Sequence, residues 1–254
     1  MGLRLVAEPV PGLPEIEPGD DLAAAIASAA AAAGMPIDAE TVVVIAQKVV
    51  SKEERRLVAL ETVTPTPHAR ELAIQTDKDP RVVQLVLDES EEIIRAAPGV
   101  LIARTRTGLV CANAGIDRSN LPADDMACLL PTDADASSRR LRGALRERIG
   151  SAPAVVVLDS FGRPWRLGQL DVAIGCAGLA PLDDRRGSVD AVGRELSATI
   201  DAAADAAAAA AALVRSKSGR EAVVLVRGLA RYVTPEDGPG AAAIVRPRAE
   251  DLFL

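Results

Sequence analysis

From Val155 to Gly175 the chain reads VVVLDSFGRPWRLGQLDVAIG, and this stretch constrains the fold more than any other. Ala154 to Leu158 is an unbroken apolar run with three valines, the pattern of a strand buried on both faces. The strand is expected to stop at Asp159-Ser160, because Phe161-Gly162-Arg163-Pro164 predicts a turn. Within a dozen residues come a carboxylate, a hydroxyl, two arginines, a glutamine, a second carboxylate and the only tryptophan. A buried strand that feeds its polar end into such a loop is how α/β proteins build sites. A solvated turn carries charge equally well, so the weight falls on what the stretch is paired with elsewhere.

Two more apolar runs, Thr41 to Ala46 and Ala222 to Val226, predict buried strands. Leu3 to Pro9 predicts a short edge strand closed by prolines. Helices are predicted from a cap at Pro18-Gly19-Asp20-Asp21 through Ala33, over Ala69 to Gln75, and over Arg81 to Glu89 behind Asp79-Pro80. Two longer ones are expected over Asp133 to Ile149 and Thr199 to Val214. Glu91 to Ala96, Val100 to Arg104 and Gly108 to Ala112 read as strands, with a hairpin around Arg104-Thr105-Arg106-Thr107. Gln47 to Lys52, Ala112 to Asn120 and Leu182 to Asp190 are expected to be loops. Strands and helices interleave without a clean βαβ repeat, which favours α+β, mixed sheets with flanking helices, over a doubly wound sheet. The 254 residues suit one core or two intimate lobes.

Composition removes several function classes. A net charge of −7 argues against general nucleic-acid or anionic-membrane binding, and 2% aromatic residues leave no stacking platform for single strands. Cys111, Cys128 and Cys176 are odd in number and widely spaced, as free thiols in a reducing cytoplasm would be. His68 is the only histidine, so histidine metal sites and Ser-His-Asp catalysis are nearly ruled out. Prolines at 9 and 11 interrupt the N-terminus before any long apolar run, so no secretory signal is expected. The alanine-rich stretches at 21–33 and 202–213 are too short to span a bilayer. Neither the P-loop pattern nor GxGxxG occurs.

Three strand-end segments carry residues suited to one task. Lys52, at the end of Gln47 to Lys52, offers a point charge for phosphate. Asp117 and Asn120 follow small residues that let a backbone approach a ligand. Asp159 and Ser160 come with Arg163 and Arg166. Two carboxylates and a hydroxyl are hard oxygen ligands of the kind Mg²⁺ or Mn²⁺ takes, and such a metal commonly bridges nucleotide phosphates. The arginines suit a transferring phosphoryl group or an acidic substrate. On residue types alone the bland reading stays open: Asp117 as a helix cap, Asp159 as a structural ion-pair partner.

GLVCANAGIDRSN (108–120) and DSFGRPWRLGQLDVAIGCAGLAPL (159–182) resemble the coenzyme F420-0:L-glutamate ligase family. LPEIEPGDDL at 13–22, VVVIAQKVVSKEERRLV at 42–58, DPR at 79–81, VLVRGL at 224–229 and EDLFL at 250–254 extend the likeness over nearly the whole chain. The resemblance implies a GTP-dependent ligase that adds L-glutamate to the deazaflavin precursor F420-0, with further γ-linked glutamates an open question. The precursor's carboxylate would take the γ-phosphoryl group, and the glutamate amine would attack the acyl phosphate to give an amide, GDP and phosphate. It implies an unusual two-lobed fold, an intertwined homodimer, a need for K⁺, and Mg²⁺ or Mn²⁺ at two sites. Some relatives carry a C-terminal flavin-binding domain, which is not expected within these 254 residues.

Carried over by motif, Asp117 and Asp159 match the metal carboxylates, and Ser160 falls where a hydroxyl assists a second metal. Leu13, Pro14, Glu15, Ile16, Gln47, Lys52 and Asn120 match segments that hold the nucleotide. Arg215, Ser216, Lys217 and Ser218 match a further nucleotide loop. This chain departs from the pattern in places. Lys217 stands where relatives often have a glutamine, and a protonated lysine has no lone pair for a metal. Leu167 and Leu170 replace Asn and Thr, and Ala206 replaces an acid after Asp205. Two rivals therefore stay open: a metal-dependent phosphohydrolase using water as acceptor, and a non-catalytic nucleotide-binding relative.

Overall fold

Three of the apolar runs lie side by side at the centre of the protein. The computed structural model describes residues 4–215 and 221–252. In chain order it contains β1 (Val6–Pro9), α1 (Leu22–Ala32), β2 (Val42–Ala46), α2 (Gln47–Glu53) and β3 (Leu57–Ala59). Next come α3 (Pro67–Thr76), α4 (Pro80–Asp88), β4 (Ser90–Ala97), β5 (Val100–Thr105), β6 (Val110–Ala112) and β7 (Met126–Cys128). The second half holds α5 (Ala134–Ile149), β8 (Ala154–Arg163), β9 (Arg166–Ala177), β10 (Leu182–Asp184), β11 (Ile200–Ala202), α6 (Ala203–Ala212) and β12 (Val223–Arg227).

The main sheet has the order β1-β12-β2-β8-β9, with β2 and β8 parallel and every other pairing antiparallel. Both of its faces are buried, so its strands read as continuous apolar runs rather than as an alternation. Val43, Ile45, Val155, Val157, Val223 and Leu225 face α1 and α5, whose Leu22, Ile26, Leu141 and Leu145 complete that core. Val42, Val44, Val156, Leu158, Val224 and Val226 face the alanines of α6. Alanine is the best helix former, and its short side chain lets α6 lie close on the sheet. At Gly175 the approach is closer still, since a Cβ there would fall 2.2 Å from the Ala134 carbonyl oxygen. A separate apolar cluster joins α3 and α4 to the sheet β4-β5-β6 through Leu72, Val83, Val86, Leu101 and Ala103. The architecture is mixed α+β, as expected.

Helix starts follow their caps. Asp21, Thr66, Asp79 and Asp133 each accept a backbone N–H of the first turn of α1, α3, α4 and α5. Pro67 and Pro80 occupy first-turn positions, where a missing N–H costs nothing. Gly150, at φ 73°, closes α5 in the left-handed region.

Three sequence expectations are corrected. β8 does not stop at Asp159-Ser160. It runs to Arg163, and the turn falls on Pro164-Trp165, with Arg163 paired to Arg166 and Trp165 at φ 64°. The ladder with β9 carries the polar residues onward as a hairpin. Gln47 to Lys52 is a helix rather than a loop, one that starts behind Ala46 with no side-chain cap to announce it. The first turn of the helix predicted from Thr199 is instead β11 (Ile200–Ala202), which pairs with β10 out of the expected loop, and α6 begins at Ala203.

The segment from Ala230 to Leu252 forms short 3₁₀ turns that brace the rest. Asp135, at the start of α5, accepts the N–H groups of Ala241 (2.7 Å), Ala242 (3.0 Å) and Cys176 (2.8 Å). Arg142 donates to the carbonyls of Pro153, Thr234 and Pro235 and to Asp237. Further along, Asp251 meets Arg104 at 3.3 Å and Arg248 meets Glu92 at 3.0 Å. Among the described residues no helix is long and apolar enough to cross a membrane.

Candidate active site

The parallel pairing of β2 with β8 ends at Ala46 and Leu158, where β2 stops. Gln47 therefore leaves the sheet beside Asp159, which continues along the β8–β9 hairpin, at the carboxyl end of β2 where open sheets hold ligands. A third wall comes from the segment after β6. There Asn113, Ala114 and Gly115 take three consecutive positive φ values (51°, 52° and 74°), a left-handed turn that delivers Asp117 to the same opening. An antiparallel bridge to Cys128 pins the Asp117 backbone, with N–H···O contacts of 3.0 and 2.8 Å. Together these walls enclose a cleft of about 740 Å³, within the range of small-molecule sites.

The structure brings most of the sequence candidates into this cleft. Asp117, Asp159, Ser160, Asn120, Gln47, Lys52 and Arg215 all line it. So do Leu13, Pro14, Glu15 and Ile16. Leu13 and Ile16 turn their side chains into the core, which leaves Pro14, Glu15 and the backbone facing the opening. Arg163 and Arg166 are not brought in. Arg163 donates to the carbonyls of Leu167 (2.8 Å) and Gly168 (3.4 Å), so it braces its own hairpin tip, and Arg166 stands exposed beside it. Ser216, Lys217 and Ser218 lie outside the described residues.

Among the described residues, each cation of the cleft already faces a carboxylate. Lys48 Nζ sits 2.8 Å from Asp117 Oδ2 and also donates to the carbonyl and hydroxyl of Ser119. Lys52 pairs with Glu15, and Arg215 Nη1 lies 3.0 Å from Asp171 Oδ2. Burial pushes the Asp117 carboxyl up, but hydrogen bonds from Lys48 and Ser119 outweigh it and hold the group below the ordinary range. Asp159 is the opposite case. Burial, reinforced by the charges of Asp117 and Asp171, pushes it up to about 7. Two carboxylates in one cleft thus differ in charge state, a common mark of a functional site. Among the described residues no three His, Cys, Asp or Glu side chains converge as a metal cluster. A cation held here would rely on two carboxylates and fill its sphere with water and ligand oxygens.

Three residues escaped the sequence reading. Lys48 lies four residues before Lys52 on α2, so both reach one side, a spacing visible only once the segment is known to be helical. Asp171 is found only through the β8–β9 register, which sets it opposite Ser160. The Asn113 Oδ1 is buried without a hydrogen-bond partner on the cleft wall, and nothing in its sequence context marks it. The three cysteines are free and buried, and burial raises their thiols to about 12 (Cys111 and Cys176) and about 11 (Cys128), which makes them poor nucleophiles.

Comparison with known proteins places the chain in a family. The family profile described as F420-0:Gamma-glutamyl ligase matches residues 12–228. A protein named Coenzyme F420:L-glutamate ligase from Methanopyrus kandleri is 45% identical over 97% of this chain and 96% of its own length. One of the same name from Methanothermobacter thermautotrophicus is 41% identical over 100% of this chain and 99% of its own. A third, from Methanocaldococcus jannaschii, is 36% identical over 86% of each. With that profile spanning most of the chain and relatives 45% and 41% identical along nearly its whole length, the chain belongs to the F420-0:gamma-glutamyl ligase family.

Proposed function

We propose that this chain joins L-glutamate to the carboxylate of F420-0 at the expense of GTP, through an acyl phosphate. The observation that carries the reading is the half-buried Asp159 lining, with Asp117, one cleft whose lysines and arginine suit a triphosphate. A carboxylate is a poor acylating agent until one oxygen becomes a good leaving group. Transfer of the γ-phosphoryl to the F420-0 carboxylate makes that leaving group. Attack by the glutamate amine then forms the amide C–N bond and expels phosphate. Phosphoryl transfer needs positioning and charge neutralisation more than acid–base groups, so a chain with one histidine lacks nothing essential.

A divalent cation fits the donor set. Asp117, Asp159 and Ser160 are hard oxygen ligands, and the upward shift of Asp159 is the electrostatic deficit that a cation relieves. When bound, Mg²⁺ or Mn²⁺ neutralises charge on the phosphate oxygens. Lys48 and Lys52 are released to phosphate as anionic ligands replace their carboxylate partners. Ile116 and Phe161 supply apolar wall, which limits water near a hydrolysable acyl phosphate. K⁺ dependence, two lobes, assembly as a homodimer and a cytoplasmic location complete the proposal, and none of the residues named above is assigned to K⁺.

The test is purified protein with GTP, Mn²⁺, L-glutamate and F420-0, products followed by mass. Gain of one or more glutamyl units with matching GDP supports the reading. Phosphate release that needs neither F420-0 nor glutamate supports a phosphohydrolase, and saturable GTP binding without turnover supports a non-catalytic relative. Lys52→Met gives a narrower test. Its partner Glu15 is 60% exposed, so stability should change by less than about 1 kcal/mol. GTP affinity should fall about 10- to 100-fold, the worth of a charge-assisted hydrogen bond. A calorimetric titration showing less than about a threefold loss would remove Lys52 from the nucleotide site.

A further inference from the structure

Asp171 has no part in the chemistry described so far, yet it joins two residues that do. It lies opposite Ser160 in the β8–β9 ladder, and its side chain is only 14% exposed. Its two oxygens are divided between two partners. Oδ1 accepts the Ser160 hydroxyl at 2.5 Å, and Oδ2 accepts from Arg215 Nη1 at 3.0 Å. Arg215 also donates through Nε to the Glu221 carbonyl at 2.9 Å, so one guanidinium ties Asp171 to the start of the last strand segment.

A serine hydroxyl has one proton and two lone pairs. With the proton committed to Asp171, Ser160 has only acceptor capacity left for the cleft it lines. That is the state in which a hydroxyl ligates a hard cation. A serine free to rotate would spend part of its time pointing its proton at the ion. Asp171 is not itself a ligand in this arrangement, since no third carboxylate joins Asp117 and Asp159 in a metal cluster among the described residues.

We propose that Asp171 is a positioning residue: it fixes the Ser160 hydroxyl as an acceptor toward a divalent cation and holds Arg215 at the cleft wall. The proposal rests on the reading that Asp117, Asp159 and Ser160 hold that cation. Outer partners of this kind commonly govern metal affinity by 10- to 100-fold. Asparagine cannot replace Asp171, because its amide has one acceptor oxygen for two donors.

The experiment is an Mn²⁺ titration of the full chain, with free Mn²⁺ read by electron paramagnetic resonance in the presence of a non-hydrolysable GTP analogue. Asp171→Asn and Ser160→Ala should each weaken Mn²⁺ binding about tenfold, and the double variant should bind no more weakly than either single. Asp171→Glu keeps the charge but moves both oxygens, so it should weaken binding as the asparagine does. Circular dichroism identifies any variant that fails to fold, in which case the glutamate variant alone carries the decision. Losses that multiply to about a hundredfold in the double variant would show that Asp171 acts by charge at a distance. Wild-type affinity in Asp171→Glu would overturn the proposal in the same way. A wild-type chain that binds Mn²⁺ nowhere would remove the metal reading itself, and this proposal with it.

Discussion

Asp159→Asn should lower ligation by at least about 10²- to 10³-fold, the usual scale for losing one group that stabilises developing charge. The same substitution should make the metal-free protein more stable at pH 8. The two effects share one cause. In the unfolded chain this carboxyl ionises near 3.8, and in the folded cleft burial and its neighbours raise it to about 7. Below pH 4 the group is protonated in both states and contributes nothing. Between about 4 and 7 the unfolded state has released its proton while the folded state still holds it, so stability falls as pH rises. The full penalty, of order 4 kcal/mol, is reached above the folded value. Asparagine does not titrate and removes that slope. Urea denaturation from pH 4 to 8.5 in the presence of a chelator should show wild type losing stability through this window, relative to the variant. Added Mn²⁺ should stabilise wild type more at pH 8 than at pH 5, and the variant little at either. Parallel pH curves for the two proteins would mean that Asp159 does not titrate as the cleft dictates.

Asp135→Ala should cost about 3–5 kcal/mol without touching the cleft. The carboxylate is almost fully buried and satisfies three backbone N–H groups, two of them from the bracing segment after Pro239. Alanine strands all three donors. Gly240, at φ 81°, leaves no room for a substitute side chain, because a Cβ there would fall 2.4 Å from Asp135. Asp135 also sits in the first turn of α5, where negative charge is favoured. The expected fall in Tm is roughly 10 °C for a chain of this size. Asparagine, with a single acceptor oxygen, should recover only part of it. A loss below about 1 kcal/mol for the alanine variant would mean that the brace is satisfied by other means.

How much of this was legible in the sequence depended on burial. VVVIA, AVVVL and VVLVR announced β2, β8 and β12 because strands buried on both faces leave no polar interruption. Asp21, Asp79-Pro80 and Asp133 announced helices because caps are chemically local. The outer half of the β8–β9 hairpin was missed because its cross-strand bonds, rather than an apolar face, keep it extended. The short α2 was missed because no side chain caps it. Asp117 and Asp159 were legible as candidates, and the fold then placed them in one cleft. Arg163 looked like a site cation, but its guanidinium is taken up by carbonyls of its own turn. Lys48 and Asp171 depend on helical phase and strand register, which residue types alone do not reveal.

The strand order of the main sheet also dictates when the protein can mature. β1 finds its neighbour in β12, and the Glu8–Arg227 ion pair closes a span of 219 residues. During synthesis at about 5–20 residues per second, the first strand waits roughly ten to forty seconds for its mate. β2 meanwhile carries both edges bare until β8 and β12 emerge. Such long-range closure makes for slow folding and a prolonged exposure of valine-rich edges. Production of this enzyme in a foreign host should therefore respond more to growth temperature and chaperone supply than to any change in the cleft.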